Sequence, residues 1–236
     1  KDRLIHAAGK AFRDLLRLRR GQVDYAPDLV VYPASEKDGV AIVKAAHEHD
    51  AVLIPFGGGT NIAGCIEPHD KAGRFVVSLD MCRMHRVLAV DKKSLLARME
   101  AGVYGPHMEE QLEAEGVTLG HFPDSFVHST LGGWVATRSA GMQSDKYGKI
   151  EDMVIALRMV TPSGTIVTRT VPKSSNGIDI RHAASCPGNF ADQRPDASLV
   201  SVTSVTSGVS LSVISSPPAP SRRSSHATRS VRDRRL

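Results

Sequence analysis

The sequence has few cysteine and aromatic residues and no long apolar run. Its 236 residues include one tryptophan and three cysteines, Cys65, Cys82 and Cys186. The odd number and wide spacing of the cysteines exclude both a disulfide framework and a CxxC metal site, so we expect free thiols in a reducing compartment. No apolar stretch reaches the roughly 18 residues that a membrane-spanning helix requires.

Lysine and glutamate are absent from residues 181–236, which contain eight Arg, three Asp, thirteen Ser and five Pro. This segment therefore carries the whole net charge of +5, and residues 1–180 are neutral. Because the excess charge lies outside the body of the chain, we expect no nucleic-acid partner. An RNA-binding or membrane-surface role through Arg222 to Arg235 stays an alternative. It predicts salt-sensitive binding that disappears when residues 181–236 are deleted.

The same segment has no helical stripe and only weak alternation between Val200 and Ile214. Such a composition buries too little apolar surface to offset the loss of chain entropy on folding. We therefore predict that residues 181–236 are mostly disordered.

A glycine loop follows a predicted strand–helix–strand unit. The strands are Leu29 to Pro33 and Val52 to Ile54, and the helix between them begins at Ser35. This order predicts a pair of parallel strands joined by a right-handed crossover. The second strand leads directly into Pro55-Phe56-Gly57-Gly58-Gly59-Thr60-Asn61.

The glycine loop has the composition of an anion site. Consecutive glycines allow positive φ and close approach, and their N–H groups can surround a diphosphate. The loop is neither a GxGxxG fingerprint nor a P-loop with lysine. Taken alone, it is equally typical of a tight connection that binds nothing.

A second cluster runs from His121 to Trp134 and continues from Thr137 to Gly141. It is dense in hydroxyl and glycine residues, and Arg138 could pair with a phosphate. The alternative is a close-packed helix whose hydroxyls bond to its own backbone. His121 and His128 lack a third metal ligand at suitable spacing, so we expect both to face solvent or to bond to backbone.

Elsewhere the pattern predicts short strands after Gly64, a helix from Gly105, and a hairpin at Pro162 to Gly164. The sum is an α+β domain with two sheet regions and helices between them.

Both clusters, in this order, resemble a known family. The matching strings are PDLVVYP, IPFGGGTNI, SLDMCRMHRVLAVD, EAGVYG, GHFPDSFVHSTLGGWVATRSAGM, YGKIEDMV and MVTPSG. They are similar to the PCMH-type FAD-binding domain shared by alkyl-dihydroxyacetonephosphate synthases and the vanillyl-alcohol-oxidase-like, FAD-linked oxidases. The resemblance divides the chain into an N-terminal helical segment, 1–27, an FAD-binding domain, 28–180, and the arginine- and serine-rich tail, 181–236.

The resemblance implies a fold of two α+β subdomains with FAD between them. It assigns FAD contacts to three strings of residues. These are Pro55, Phe56, Gly57, Gly58, Gly59, Thr60 and Asn61; then Asp124, Ser125, Phe126, Val127, His128, Ser129 and Thr130; and finally Thr137, Arg138, Ser139 and Ala140. Because the first glycine loop contains no histidine, we expect FAD to be bound non-covalently. No catalytic residue is assigned, and no metal is expected.

The implied function is that of the synthases, which exchange an acyl for an alkyl chain on dihydroxyacetone phosphate in ether-lipid synthesis. An FAD-linked oxidoreductase of the D-lactate or glycolate oxidase type is the alternative, as is an inactive truncated fragment. A full-length relative would bind a lipid or hydroxy-acid substrate, and a homodimer is compatible with the family. We expect a cytoplasmic protein, or a peroxisomal one if it is a eukaryotic synthase.

The match breaks after Gly177 to Ile180. The family continues there with a GSEGTLGVIT-type strand and loop that also contacts FAD, whereas this chain changes to an Arg/Ser/Pro-rich sequence. We therefore expect a domain that is incomplete at its C-terminal end, without a substrate-binding domain. The abrupt change suggests translation in a shifted reading frame, a hypothesis that fails if no other frame of the gene encodes the glycine-rich string.

Overall fold

The computed structural model describes residues 1–69, 72–168 and 205–215. The helices are α1 Asp2–Ile5, α2 Phe12–Arg19, α3 Glu36–Glu48, α4 Gly105–Glu113, α5 Leu131–Thr137, α6 Ser144–Tyr147 and α7 Ile150–Met153. The strands are β1 Leu29–Val31, β2 Val52–Phe56, β3 Val76–Asp80, β4 Val87–Asp91, β5 Leu96–Met99, β6 Val117–Thr118, β7 Val154–Thr161, β8 Gly164–Val167, β9 Val205–Ser212 and β10 Ile214–Ser215.

The first subdomain is a parallel sheet of three strands with α3 packed against it. Helix α3 begins as its sequence predicts, because the Ser35 side chain accepts a hydrogen bond from the Asp38 N–H. The strand order is β1-β3-β2, so β3 lies between the two strands that α3 connects. The predicted parallel orientation of β1 and β2 is confirmed, and each of them pairs with β3. Strand β3 takes the centre because all five of its residues are buried.

The second subdomain is an antiparallel sheet of five strands in the order β4-β5-β9-β7-β8. The β7–β8 hairpin turns where Pro162 and Ser163 predict it, with Thr161 opposite Gly164. Helices α4, α5 and α7 pack against this sheet around a core that includes Met108, Leu131 and Trp134. Two sheet regions in an α+β arrangement are therefore confirmed.

Strand β9 corrects the prediction for the tail. Within 181–236, Val205–Ser212 pairs with β5 on one side and with β7 on the other, and Ile214–Ser215 pairs with β6. Leu211 and Val213 are fully buried in the core of the second subdomain. The prediction of disorder is thus wrong for 205–215, because the unpaired edges of β5 and β7 supply partners that composition does not reveal. The rest of 181–236 lies outside the described residues.

The two subdomains meet along α3 and β7. Val160 of β7 belongs to the core cluster of the first sheet, with Val43 of α3. Arg158 of β7 also pairs with Glu36 at the start of α3, with an Nε–Oε2 distance of 2.5 Å. These contacts join α3 of the first subdomain to β7 of the second. Among the described residues, no helix has the length and apolarity needed to cross a membrane.

Candidate FAD site

The glycine loop and the second cluster, about 70 residues apart in sequence, lie in direct contact. A side-chain carbon on Gly57 would overlap the Thr130 hydroxyl, and one on Gly58 would overlap the His128 carbonyl oxygen. Only glycine lets the two backbones approach so closely. The structure therefore brings the first two predicted strings together at one place.

The loop presents unpaired N–H groups at this contact. Gly58 and Gly59 are buried, and Gly59 has a φ of 71°. Among the described residues, the N–H groups of Gly58, Gly59 and Thr60 donate to no backbone carbonyl. Successive free N–H groups in a turn are a feature of anion-binding loops.

Ser129 organises the second string. Its hydroxyl accepts a hydrogen bond from Trp134 Nε1 at 2.6 Å and donates to the Ser125 carbonyl oxygen at 2.8 Å. The Ser125 hydroxyl in turn donates to Ser129 Oγ at 3.0 Å. The Ser129 side chain is thus used inside the protein, and its role is to hold the turn that packs on Gly58. Asp124, Val127 and His128 are exposed and can reach a ligand.

Tyr104 joins the two strings, although sequence reasoning did not single it out. It forms an isolated antiparallel bridge with Thr130, and its hydroxyl donates to the Gly57 carbonyl oxygen at 3.3 Å. Burial raises the pKa of this phenol above its ordinary value, so it stays protonated as a donor. The only sequence signal was its position inside the EAGVYG string.

The third string, Thr137 to Ala140, closes helix α5. The Thr137 hydroxyl bonds back to the Gly133 carbonyl at 2.9 Å, as the alternative interpretation of this cluster predicts. Arg138 adopts a left-handed conformation and pairs with Glu151, with Nη2 3.1 Å from Oε1. Its guanidinium therefore has a carboxylate partner within the protein. Ala140 is exposed.

His121 connects the third string to the core. It is fully buried, its ring packs against Trp134 with centroids 5.2 Å apart, and Nε2 lies 3.2 Å from Ser139 Oγ. The expectation that His121 faces solvent or bonds to backbone is therefore wrong, whereas His128 is exposed as expected. Burial lowers the pKa of His121 to about 4, so the ring is neutral near pH 7.

Phe56 contacts the N-terminal segment rather than the second string. Its ring packs against His6 with centroids 4.4 Å apart, and His6 Nε2 lies 2.9 Å from Asp80 Oδ2. The Asn61 side chain accepts a hydrogen bond from the Cys65 N–H at 3.1 Å, which closes the end of the loop. The side chains of Phe56 and Asn61 thus bind protein groups. The FAD contacts assigned to the three strings stay a prediction.

The two subdomains, with the glycine loop packed on the second string, form an α+β domain. The chain belongs to the FAD binding domain family, whose model matches residues 27–170. FAD is accordingly the cofactor of this domain.

Within this family, the chain is similar to proteins of two kinds. The alkyldihydroxyacetonephosphate synthase of Dictyostelium discoideum is 52% identical over 180 residues, which are 76% of this chain and 29% of the relative. A solved structure of an alkyldihydroxyacetonephosphate synthase superposes with a TM-score of 0.81 at 44% identity, over 92% of this chain and 37% of the other. The mitochondrial D-lactate dehydrogenase [cytochrome] of Arabidopsis thaliana is 34% identical over 157 residues. The chain spans less than a third of the length of these two curated relatives.

Proposed function

We propose that this chain is the FAD-holding part of an alkyldihydroxyacetonephosphate synthase. The observation that carries the proposal is the contact of Gly57 and Gly58 with His128 and Thr130, which brings together two distant strings to which the family resemblance assigns FAD contacts. The higher identity to the synthases than to the lactate dehydrogenase favours ether-lipid synthesis over hydroxy-acid oxidation.

In this proposal, the residues of this chain bind FAD and orient it. The free N–H groups of Gly58 to Thr60 would hold the diphosphate, and Tyr104 and Ser129 keep the two strings in register. Neutral His121 supports Ser139 from the core. When bound, FAD supplies the reactive centre at which an acyl chain is exchanged for an alkyl chain. We propose non-covalent binding, because the loop offers no histidine for attachment.

The exchange reaction, its lipid substrates and a homodimer belong to this proposal. The alternative is an FAD-linked oxidoreductase acting on a hydroxy acid, which the similarity to the lactate dehydrogenase supports.

Titration of the purified chain with FAD tests the cofactor step, with quenching of flavin fluorescence as the signal. The FAD-loaded protein is then mixed without oxygen with D-lactate or with glycolate. Loss of the oxidised flavin absorbance would identify an oxidase-type domain and contradict the synthase assignment. Conversion of acyl-dihydroxyacetonephosphate and a fatty alcohol to the ether product tests the exchange itself. Lack of FAD binding by the folded chain would refute the proposed function.

A further inference from the structure

The N-terminal segment, Lys1 to Arg20, lies outside the matched FAD domain, yet it contacts the glycine loop at its start and its middle. It also contacts Glu67, which follows the loop. We propose that this segment is a positioning element of the FAD site, which holds the glycine loop from behind in the shape that FAD binds. The inference rests on the proposed FAD binding and adds to it a set of residues that do not touch the cofactor.

The first contact is at the start of the loop. Phe56 and Asp80 are paired partners at the ends of β2 and β3. His6 contacts both of them, with its ring against Phe56 and Nε2 at 2.9 Å from Asp80 Oδ2. His6 is 2% exposed, so this contact is sealed from solvent. The position where the strand becomes the loop is thereby fixed.

The second contact is at the middle of the loop. The Lys10 N–H donates to the Gly59 carbonyl oxygen at 2.7 Å. The Gly59–Thr60 peptide bond is trans, so its carbonyl and its N–H point in opposite directions. By holding the carbonyl on its own side, Lys10 turns the Thr60 N–H to the other side of the loop. This bond therefore selects the peptide orientation that offers an N–H group to an anion.

Close approach of the two backbones at this contact requires Gly9. A side-chain carbon there would lie 3.0 Å from the Gly59 carbonyl oxygen and 2.6 Å from Asp14 Oδ2. An apolar cleft of about 370 Å³ remains nearby, lined by Leu4, Ala8 and Phe56 among others.

The third contact is at the far end of the connection. Arg13 Nη2 and Arg17 Nη1 of α2 both lie 3.0 Å from Glu67 Oε1. Glu67 lies at the end of the stretch that begins at Gly57. One of its carboxylate oxygens thus bonds to two arginines of α2. The three contacts together hold the start and the middle of the loop and the stretch that follows it.

The Lys10 bond can be tested without disturbing the rest of the segment. Lys10→Pro removes the backbone donor and the side chain, whereas the matched control Lys10→Ala removes the side chain alone. Loss of one such hydrogen bond predicts an FAD dissociation constant about fivefold higher for Lys10→Pro than for Lys10→Ala. Thermal melting of both variants without FAD checks that the fold is intact.

Glu67→Gln tests the third contact, and Glu115→Gln is its control. Glu115 makes a solvent-exposed ion pair with Lys92, with Nζ–Oε2 at 2.9 Å, between residues that are not part of the loop or of the N-terminal segment. We expect Glu67→Gln to weaken FAD binding about twofold to fivefold and Glu115→Gln to leave it unchanged.

Hydrogen exchange in the protein without FAD gives a readout that does not depend on the cofactor. Lys10→Pro should speed exchange at the Cys65 amide, which donates to Asn61 at the end of the loop, relative to Lys10→Ala, since the loop is released. Equal FAD affinity and equal loop exchange in these two variants would overturn the proposal. If the unmodified chain binds no FAD, the proposed function fails, while the exchange comparison still decides whether the segment holds the loop.

Discussion

Gly58 lies against the carbonyl oxygen of His128, so closely that a methyl group on its Cα would overlap that oxygen. Gly58→Ala must therefore push the glycine loop away from the 128–130 segment. We expect FAD binding to weaken by at least tenfold and the free energy of unfolding to fall by about 1–3 kcal/mol.

Gly39→Ala is the matched control for this change. Gly39 lies within α3, and a side-chain carbon there would meet no atom within 4 Å. Alanine favours helix over glycine, so this variant should be at least as stable as the unmodified chain and bind FAD equally well. FAD titration and urea unfolding of both variants check the prediction. Equal behaviour of the two variants would show that the loop and the second string do not pack together.

Local features of the fold were predictable, because caps, turns and periodicity are encoded by neighbouring residues. The Ser35 cap and the β7–β8 hairpin are examples. Strand order was not predictable from such signals. The placement of β3 between β1 and β2 depends on burial of the whole strand Val76–Asp80, which only the assembled sheet provides.

The two strings were identified from the sequence, but the way they pack together was not. Glycines in the loop were expected to allow approach of a ligand, whereas Gly57 and Gly58 are needed for approach of the protein itself. Tyr104 escaped notice because its role depends on a backbone bridge to Thr130. His6 and Asp80 come together from positions 74 residues apart, and no local pattern marks such a pair.

Ser129→Ala should destabilise the second string. The variant leaves Trp134 Nε1 buried without its acceptor, which costs about 1–3 kcal/mol. Ser125→Ala removes only the donor to Ser129 and should cost about 0.5–1.5 kcal/mol. Urea unfolding followed by Trp134 fluorescence measures both changes. If Ser129→Ala lowers the free energy of unfolding less than Ser125→Ala does, Ser129 is not the central residue of this hydrogen-bond network.

His121 should make the stability of the protein pH-dependent. Its pKa is about 4 in the folded protein and near its ordinary value of 6.5 in the unfolded chain, so the unfolded chain binds the extra proton between these values. The contribution of His121 is therefore fully present above pH 6.5 and is lost as the pH falls towards 4. The loss amounts to on the order of 3 kcal/mol at most.

His121→Gln should flatten this part of the pH dependence, since glutamine does not titrate in that range. His128→Gln replaces an exposed histidine of the same loop region and should keep the slope of the unmodified chain. Urea midpoints between pH 7.5 and pH 4.5 measure the slopes. Parallel curves for His121→Gln and the unmodified chain would show that His121 is not the titrating group.

The two described cysteines should differ in reactivity. Burial, with the charge of Asp80, raises the pKa of Cys82 to about 11, whereas Cys65 is exposed. Because the thiolate is the reactive form, iodoacetamide at pH 8 should modify Cys65 first and leave Cys82 largely unmodified. Mass spectrometry measures the modification of each cysteine, in a Cys186→Ser variant so that only Cys65 and Cys82 can react. Equal rates at both positions would contradict the burial of Cys82.

Leu211 tests the placement of β9 at the centre of the second sheet. Its side chain is fully buried between β5 and β7, opposite Ala97 and Val154. Leu211→Ala leaves a cavity and should lower the free energy of unfolding by about 2–5 kcal/mol. Leu88→Ala makes the same chemical change on β4 at a side chain that is 41% exposed, and it should cost less than about 0.5 kcal/mol. Urea unfolding of both variants decides the matter: if Leu211→Ala is as mild as Leu88→Ala, residues 205–215 do not complete the sheet.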